Sequence, residues 1–164
     1  MIRPLLAILL LCATAHADTL IELPKTKARL ELPEGWTKAE QPALVATYKH
    51  ENGSVLVVSR TDAPNGDAWS DDAKKRQAHA DAIERGLQKG IPGYKRLRKK
   101  LGKANDVPML ELETTRDGGS VVVARILMFR TYALALGIEV PSKSLVPGAR
   151  AITATFAPPK EATK

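Results

Sequence analysis

Cysteine is almost missing from this chain: of 164 residues only Cys12 is one, and it lies in an N-terminal stretch with the order of a removable leader. Arg3, the apolar run Leu5 to Leu11 and the closing triplet Ala15-His16-Ala17 read as a secretory signal peptide, so residues 1–17 are expected to be cleaved and the mature chain to begin at Asp18. Without Cys12 the mature chain forms no disulfide and offers no thiolate nucleophile or thiolate metal ligand. Lipid attachment through Cys12 is the variant of this reading, although Leu11 occupies the place where a small residue is usual. Long apolar runs are also lacking. The run at Leu5 to Leu11 falls well short of the roughly 20 residues that span a bilayer, and Val121 to Val140 has Arg125 and Arg130 inside it and a β-branched start, which argues for strand. Only His50 and His79 remain after residue 17, so a zinc site would have to be completed by carboxylates. Ser54, Ser59, Ser70 and Ser120 stand outside any Gly-x-Ser-x-Gly turn, and Asp117-Gly118-Gly119 is a hairpin turn, with no phosphate-cradling loop ahead of a helix. Repeats, low-complexity tracts and domain linkers are missing as well.

What remains is a basic chain of ordinary domain size. Removing 17 of the 164 residues leaves 147, enough for one domain that buries roughly two-thirds of its unfolded surface without a staple. The formal charge is +7 with 25 Lys and Arg against 18 Asp and Glu, and Arg3 is the only charge in the leader, so the mature chain keeps +6. That surplus favours acidic partners or anionic surfaces, and an extracytoplasmic address argues against nucleic acid as the natural partner.

The periodicities give the element order. Asp18 to Leu23 and Lys27 to Leu32 alternate with period two and are closed by Pro24 and Pro33. Ala43 to Lys49 and Ser54 to Thr61 flank Glu51-Asn52-Gly53, a strong short-range hairpin signal. Asp62 to Trp69 reads as loop. Ser70, Asp71 and Asp72 then supply a cap and an acidic first turn for a helix from about Asp71 to Lys89, with Ala73, Ala80, Ile83 and Leu87 on one narrow face and Gly90, Pro92 and Gly93 as its stop. Tyr94 to Leu101 and Val107 to Thr115 read as strands, and Val121 to Val140 as either a hairpin bent near Phe129-Arg130-Thr131 or one long bulged strand. Ala149 to Phe156 predicts a short helix before a loose tail from Ala157 to Lys164. Strands, one helix, strands and a second helix imply an α+β domain over residues 18–164, its mostly antiparallel sheet flanked by helices.

Two segments resemble a known family. Ala28-Arg29-Leu30-Glu31-Leu32-Pro33-Glu34-Gly35-Trp36 is similar to the strand-turn-Trp opening of the PsbP-like superfamily, and Ala149-Arg150-Ala151-Ile152-Thr153-Ala154-Thr155-Phe156 resembles its C-terminal helix. The superfamily includes the extrinsic photosystem subunit PsbP, a Ran-binding nuclear import factor and DcrB-type bacterial envelope proteins. The resemblance implies an α/β/α sandwich and a noncatalytic accessory or binding role, and it carries over no binding residue. The residues have their own structural reading: Pro33 ends the strand, Gly35 permits the turn and Trp36 covers the open end of the core.

Chemistry beyond this is sparse. His50 reads as a solvated turn residue and His79 as a helix boundary residue. Asp62, Asp67, Asp71 and Asp72 around Asn65-Gly66 supply oxygen atoms suited to calcium, but turn chemistry and helix capping account for them. Glu111 and Glu113 share a strand face, which alternation with Leu110 and Leu112 assigns to a solvated side of the sheet. No catalytic residue, metal site or cofactor is expected. The cluster Lys89, Lys95, Arg96, Arg98, Lys99, Lys100 and Lys103 places seven cations in fifteen residues. As a regular strand it would put Lys95, Leu97 and Lys99 on one face and Arg96, Arg98 and Lys100 on the other, the pattern of an exposed edge. Two readings stand: cations that keep a sheet edge from pairing with another chain, or a docking patch for an acidic protein or envelope component. A carrier of polyanions, anionic lipid or small ligands through the same patch is the alternative. Tyr94 is the only aromatic residue nearby, which disfavours stacking on nucleic acid.

Overall fold

The computed structural model describes residues 18–62 and 70–159. The expected leader, residues 1–17, lies outside the described residues, as does residue 67 of the acidic loop. Short alternating segments build the first hairpin, in which β1 (Thr19–Glu22) pairs antiparallel with β2 (Arg29–Leu32). Alternation along β2 buries Leu30 and Leu32 and leaves Glu31 exposed.

The main sheet consists of two meanders joined edge to edge. β3 (Trp36–Ala39), β4 (Ala46–His50) and β5 (Val55–Asp62) form the first. Between β4 and β5 the expected Asn-Gly turn is present: Gly53 has φ of 85°, and Asn52 Oδ1 accepts from Ser54 N at 2.9 Å. The second comprises β6 (Lys95–Ala104), β7 (Val107–Thr115), β8 (Val121–Met128) and β9 (Tyr132–Val140). The spatial order β3-β4-β5-β9-β8-β7-β6 places β5 against β9, and every strand pair in the sheet is antiparallel. The apolar run at 121–140 is therefore a hairpin. Its bend carries no glycine; Phe129 N donates to Tyr132 O at 2.8 Å, the two rings stack at 4.4 Å, and the Arg60 guanidinium lies 4.3 Å above Tyr132.

Helix α1 (Ala73–Gly90) carries the chain across one face, from β5 to the far edge strand β6. Asp72 is its N-cap, accepting from Lys74 N at 2.8 Å, while Ser70 Oγ accepts from Asp72 N at 3.1 Å. Ala80 is fully buried against Leu110, Leu112, Ile126 and Met128, with Ile83 and Leu87 packed beside it. The expected apolar stripe is corrected at one end. Ala73 is exposed, and Glu84, one turn after Ala80, takes a place in the buried face.

The opposite face holds the larger core. A 3₁₀ turn (Lys143–Leu145) leads into α2 (Val146–Thr155), whose Val146, Ala149 and Ile152 pack with Leu30, Leu56, Leu134, Leu136, Ile138 and the fully buried Phe156. Each of these buried Val, Leu, Ile and Phe side chains contributes about 2 kcal/mol. The hairpin β1-β2 joins this layer because Glu31 N donates to Thr155 Oγ1 at 3.0 Å and Arg29 pairs with Ala157. The tail is thus held further than expected: Ala157 is bridged and Pro158 is buried. Residues 160–164 lie outside the described residues. Helices on both faces of an antiparallel sheet make this an α+β fold.

Candidate functional site

The basic cluster forms the exposed edge of the sheet, apart from Lys89, which sits in the last turn of α1. Among the described residues β6 pairs with β7 only, so no described strand lies beside its outer backbone edge. The strand is not regular. Its register shifts between Arg96 and Arg98, leaving Leu97 as the extra residue of a bulge, 48% exposed. The bulge reverses the alternation, so the expected face assignment is corrected. Arg96, opposite Thr114, lies on the α1 side with Lys99, opposite Leu112. Arg98, opposite Glu113, lies on the α2 side with Lys100, opposite Glu111.

On the α1 side the cations are consumed within the fold. Lys99 is largely buried and ion-paired to Glu84 at 2.8 Å and to Asp81. Arg96 Nη1 reaches Glu84 Oε2 at 3.0 Å, and the Tyr94 hydroxyl donates to Glu84 Oε1 at 2.8 Å. Burial alone would raise the Glu84 carboxyl, but the hydrogen bonds from Lys99 and Tyr94 and the nearby cations hold it below its usual range. Burial likewise opposes the Lys99 ammonium, and the bonds to Asp81 and Glu84 overcome it and raise Lys99. These three residues clamp α1 to the sheet edge.

On the α2 side the balance differs. Glu113 is only 4% exposed and is held by Arg150 through two bonds of 2.6 and 2.7 Å, with Arg98 Nη1 at 3.3 Å. The Arg150 bonds are the main reason its carboxyl lies below the ordinary value. Glu111 is paired at 2.6 Å to Arg125, which also donates to Ala154 O and Phe156 O at 2.8 and 3.3 Å. The face read as solvated is therefore an ionic layer beneath α2, because α2 supplies cations over it. The cleft between α2 and β6 has a recess of about 270 Å³ including Arg98, Lys100, Glu111, Glu113 and Arg150, continuing into one of about 420 Å³ that adds Lys143 and Leu97. Four cations, Arg98, Lys100, Lys143 and Arg150, face two carboxylates there. Lys95 and Lys100 on this side and Lys103 near the strand end make no ion pair among the described residues.

Sequence reading missed Lys143 and Arg150, which lie 40 and 47 residues beyond the end of the cluster and are brought to it only by the packing of α2. Of the two histidines, His50 is placed as a structural group. His50 Nδ1 accepts from Asn52 N at 3.1 Å and meets Trp36 edge-on at 5.3 Å, and Trp36 packs against the larger core. No group of three or more His, Cys, Asp or Glu among the described residues is placed to hold a metal. No helix among them is long and apolar enough to cross a membrane.

No protein-family model and no curated protein matches the chain. Among solved structures, a Pseudomonas aeruginosa protein of unknown function is 23% identical over 82% of this chain and 90% of that one, with a TM-score of 0.45. The solution structure of cyanobacterial PsbP from Synechocystis sp. PCC 6803 superposes over 86% of this chain and 89% of that one, with a TM-score of 0.60 at 9% identity. An antiparallel sheet with a helix on each face, matched over nearly the whole of both chains, gives this protein the PsbP-like fold.

Proposed function

We propose that this chain is a noncatalytic binding domain that works outside the cytoplasmic membrane and docks an acidic protein or envelope component along β6 and the cleft beneath α2. The observation that carries the reading is the surplus of cations over carboxylates in that cleft, beside a strand whose outer edge is open. Paired groups such as Glu113 and Arg150 keep the floor rigid, and Lys95, Lys100, Lys103 and Lys143 present charge that the fold itself does not consume. The signal-peptide character of residues 1–17 supports the address. The β6 bulge and lysines discourage pairing with another copy of the chain, which suits an edge that meets its partner through side chains.

The test is cross-linked affinity purification of the tagged chain from its own source, compared with a Lys95→Glu, Lys100→Glu, Lys143→Glu variant. The expected result is a stoichiometric acidic partner on the wild type and its loss from the variant, with an unchanged melting temperature. Retention of that partner by the variant would overturn the reading.

A further inference from the structure

We propose that the space between α1 and the sheet is a binding site for a small uncharged molecule with an apolar body and one hydrogen-bonding group, a site distinct from the cationic cleft on the opposite face. The cavity measures about 170 Å³ and lies where the apolar stripe of α1 runs out at Leu87 and Ile91. Its floor is made of small residues, Ala124 and Ala135 with Gly137, so neighbouring side chains do not fill it. No charged side chain lines it, which excludes an ionic ligand on desolvation grounds.

Thr114 points to the ligand's polar group. It is 2% exposed, it lines the cavity, and its Oγ1 is buried without a hydrogen-bond partner among the described residues. A buried hydroxyl in that state is costly and calls for an occupant. Ser59 contributes the other side-chain hydroxyl of the wall. An apolar cavity of about 150 Å³ accepts benzene, so this one has the size for a single ring or a short alkyl chain, with one hydroxyl, carbonyl or N–H reaching Thr114.

The test uses p-cresol and toluene as probes, differing by the hydroxyl. In NMR titrations of the intact chain, both are expected to shift the methyl resonances of Leu87, Leu112 and Ala135 saturably, leaving those of Leu30 and Leu32 in the larger core nearly still. Thr114→Val is expected to weaken p-cresol by about threefold to tenfold, the worth of one hydrogen bond, and to leave toluene unchanged. Ala135→Leu, which fills the floor, should remove both. The proposal is overturned if wild type shows no saturable p-cresol shift, or if Thr114→Val binds p-cresol as tightly as wild type. It is overturned equally if Thr114→Val only raises stability and neither probe binds, the outcome of a cavity that holds a water molecule. The titration of wild type decides the matter without any variant.

Discussion

The Glu84 clamp yields a quantitative expectation about which cations of the edge strand belong to the fold. Breaking a buried ion pair by removing one partner costs about 3–5 kcal/mol. Here the loss is smaller, because Lys99 keeps Asp81 and Arg96 is half-exposed and can turn to water. Glu84→Ala is therefore expected to cost about 2–3 kcal/mol. Glu84→Gln, which retains an acceptor for Tyr94 and Lys99 but no charge, should cost about 1 kcal/mol. In a chain of this size about 2–3 kcal/mol lowers Tm by roughly 6–10 °C. Urea unfolding of Glu84→Ala, Lys99→Met and the double variant measures the pair directly, and a coupling of about 1–2 kcal/mol is expected. A coupling within about 0.3 kcal/mol of zero would refute the clamp and return Lys99 to the set of cations available to a partner.

Three other outcomes follow from the same geometry. Glu84 and Glu113 are both held below their ordinary value of 4.5, so they bind protons less readily folded than unfolded; the stability they add is complete above that value and disappears as pH falls through their depressed folded values. Acid unfolding curves of wild type and Glu113→Gln are thus expected to converge at low pH and separate near neutrality, and constant separation would count against the ionic layer. Gly93 has φ of 67°, and a Cβ there would lie 2.5 Å from the Asp117 backbone nitrogen, so Gly93→Ala is expected to cost about 2 kcal/mol or more by calorimetry. Arg125→Met strips the carbonyls of Ala154 and Phe156 of their donor and leaves Glu111 without its closest cation, for a loss of about 2–3 kcal/mol and faster amide exchange in α2.

Turn chemistry and periodicity were the legible part. Asn52-Gly53, Asp117-Gly118-Gly119 and the apolar alternation of Val107 to Thr115 are local signals, and the elements form where they point. The strand β3 escaped notice because Trp36-Thr37-Lys38-Ala39 is short and neither of its faces is apolar throughout. The bulge at Leu97 was illegible for a related reason: where nearly every residue is a cation, a reversal of face leaves no trace in the pattern. Glu113 read as a solvated residue, and Glu84 drew no reading at all, because a carboxylate is normally exposed. Their burial depends on Lys99, Arg96 and Arg150, partners ten or more positions away that no local window joins. The same distance hid Arg150 and Lys143 from the cleft, while the six cations of β6 were visible as a run.

The hydrogen bond between Glu31 and Thr155 joins residues 124 positions apart. Leu30 and Leu32 face the core that α2 completes, so the first hairpin cannot bury them until the last helix has arrived. A chain that emerges N-terminus first must carry this apolar ribbon unprotected through nearly the whole of its synthesis or passage. Closure of so large a loop is entropically slow, and the late step of folding is therefore expected to be the docking of two distant ends, checked by amide-exchange labelling during refolding, in which β1 and α2 should be protected after the main sheet. The period before α2 seats is the interval in which this protein is most open to capture by a chaperone, to proteolysis and to aggregation.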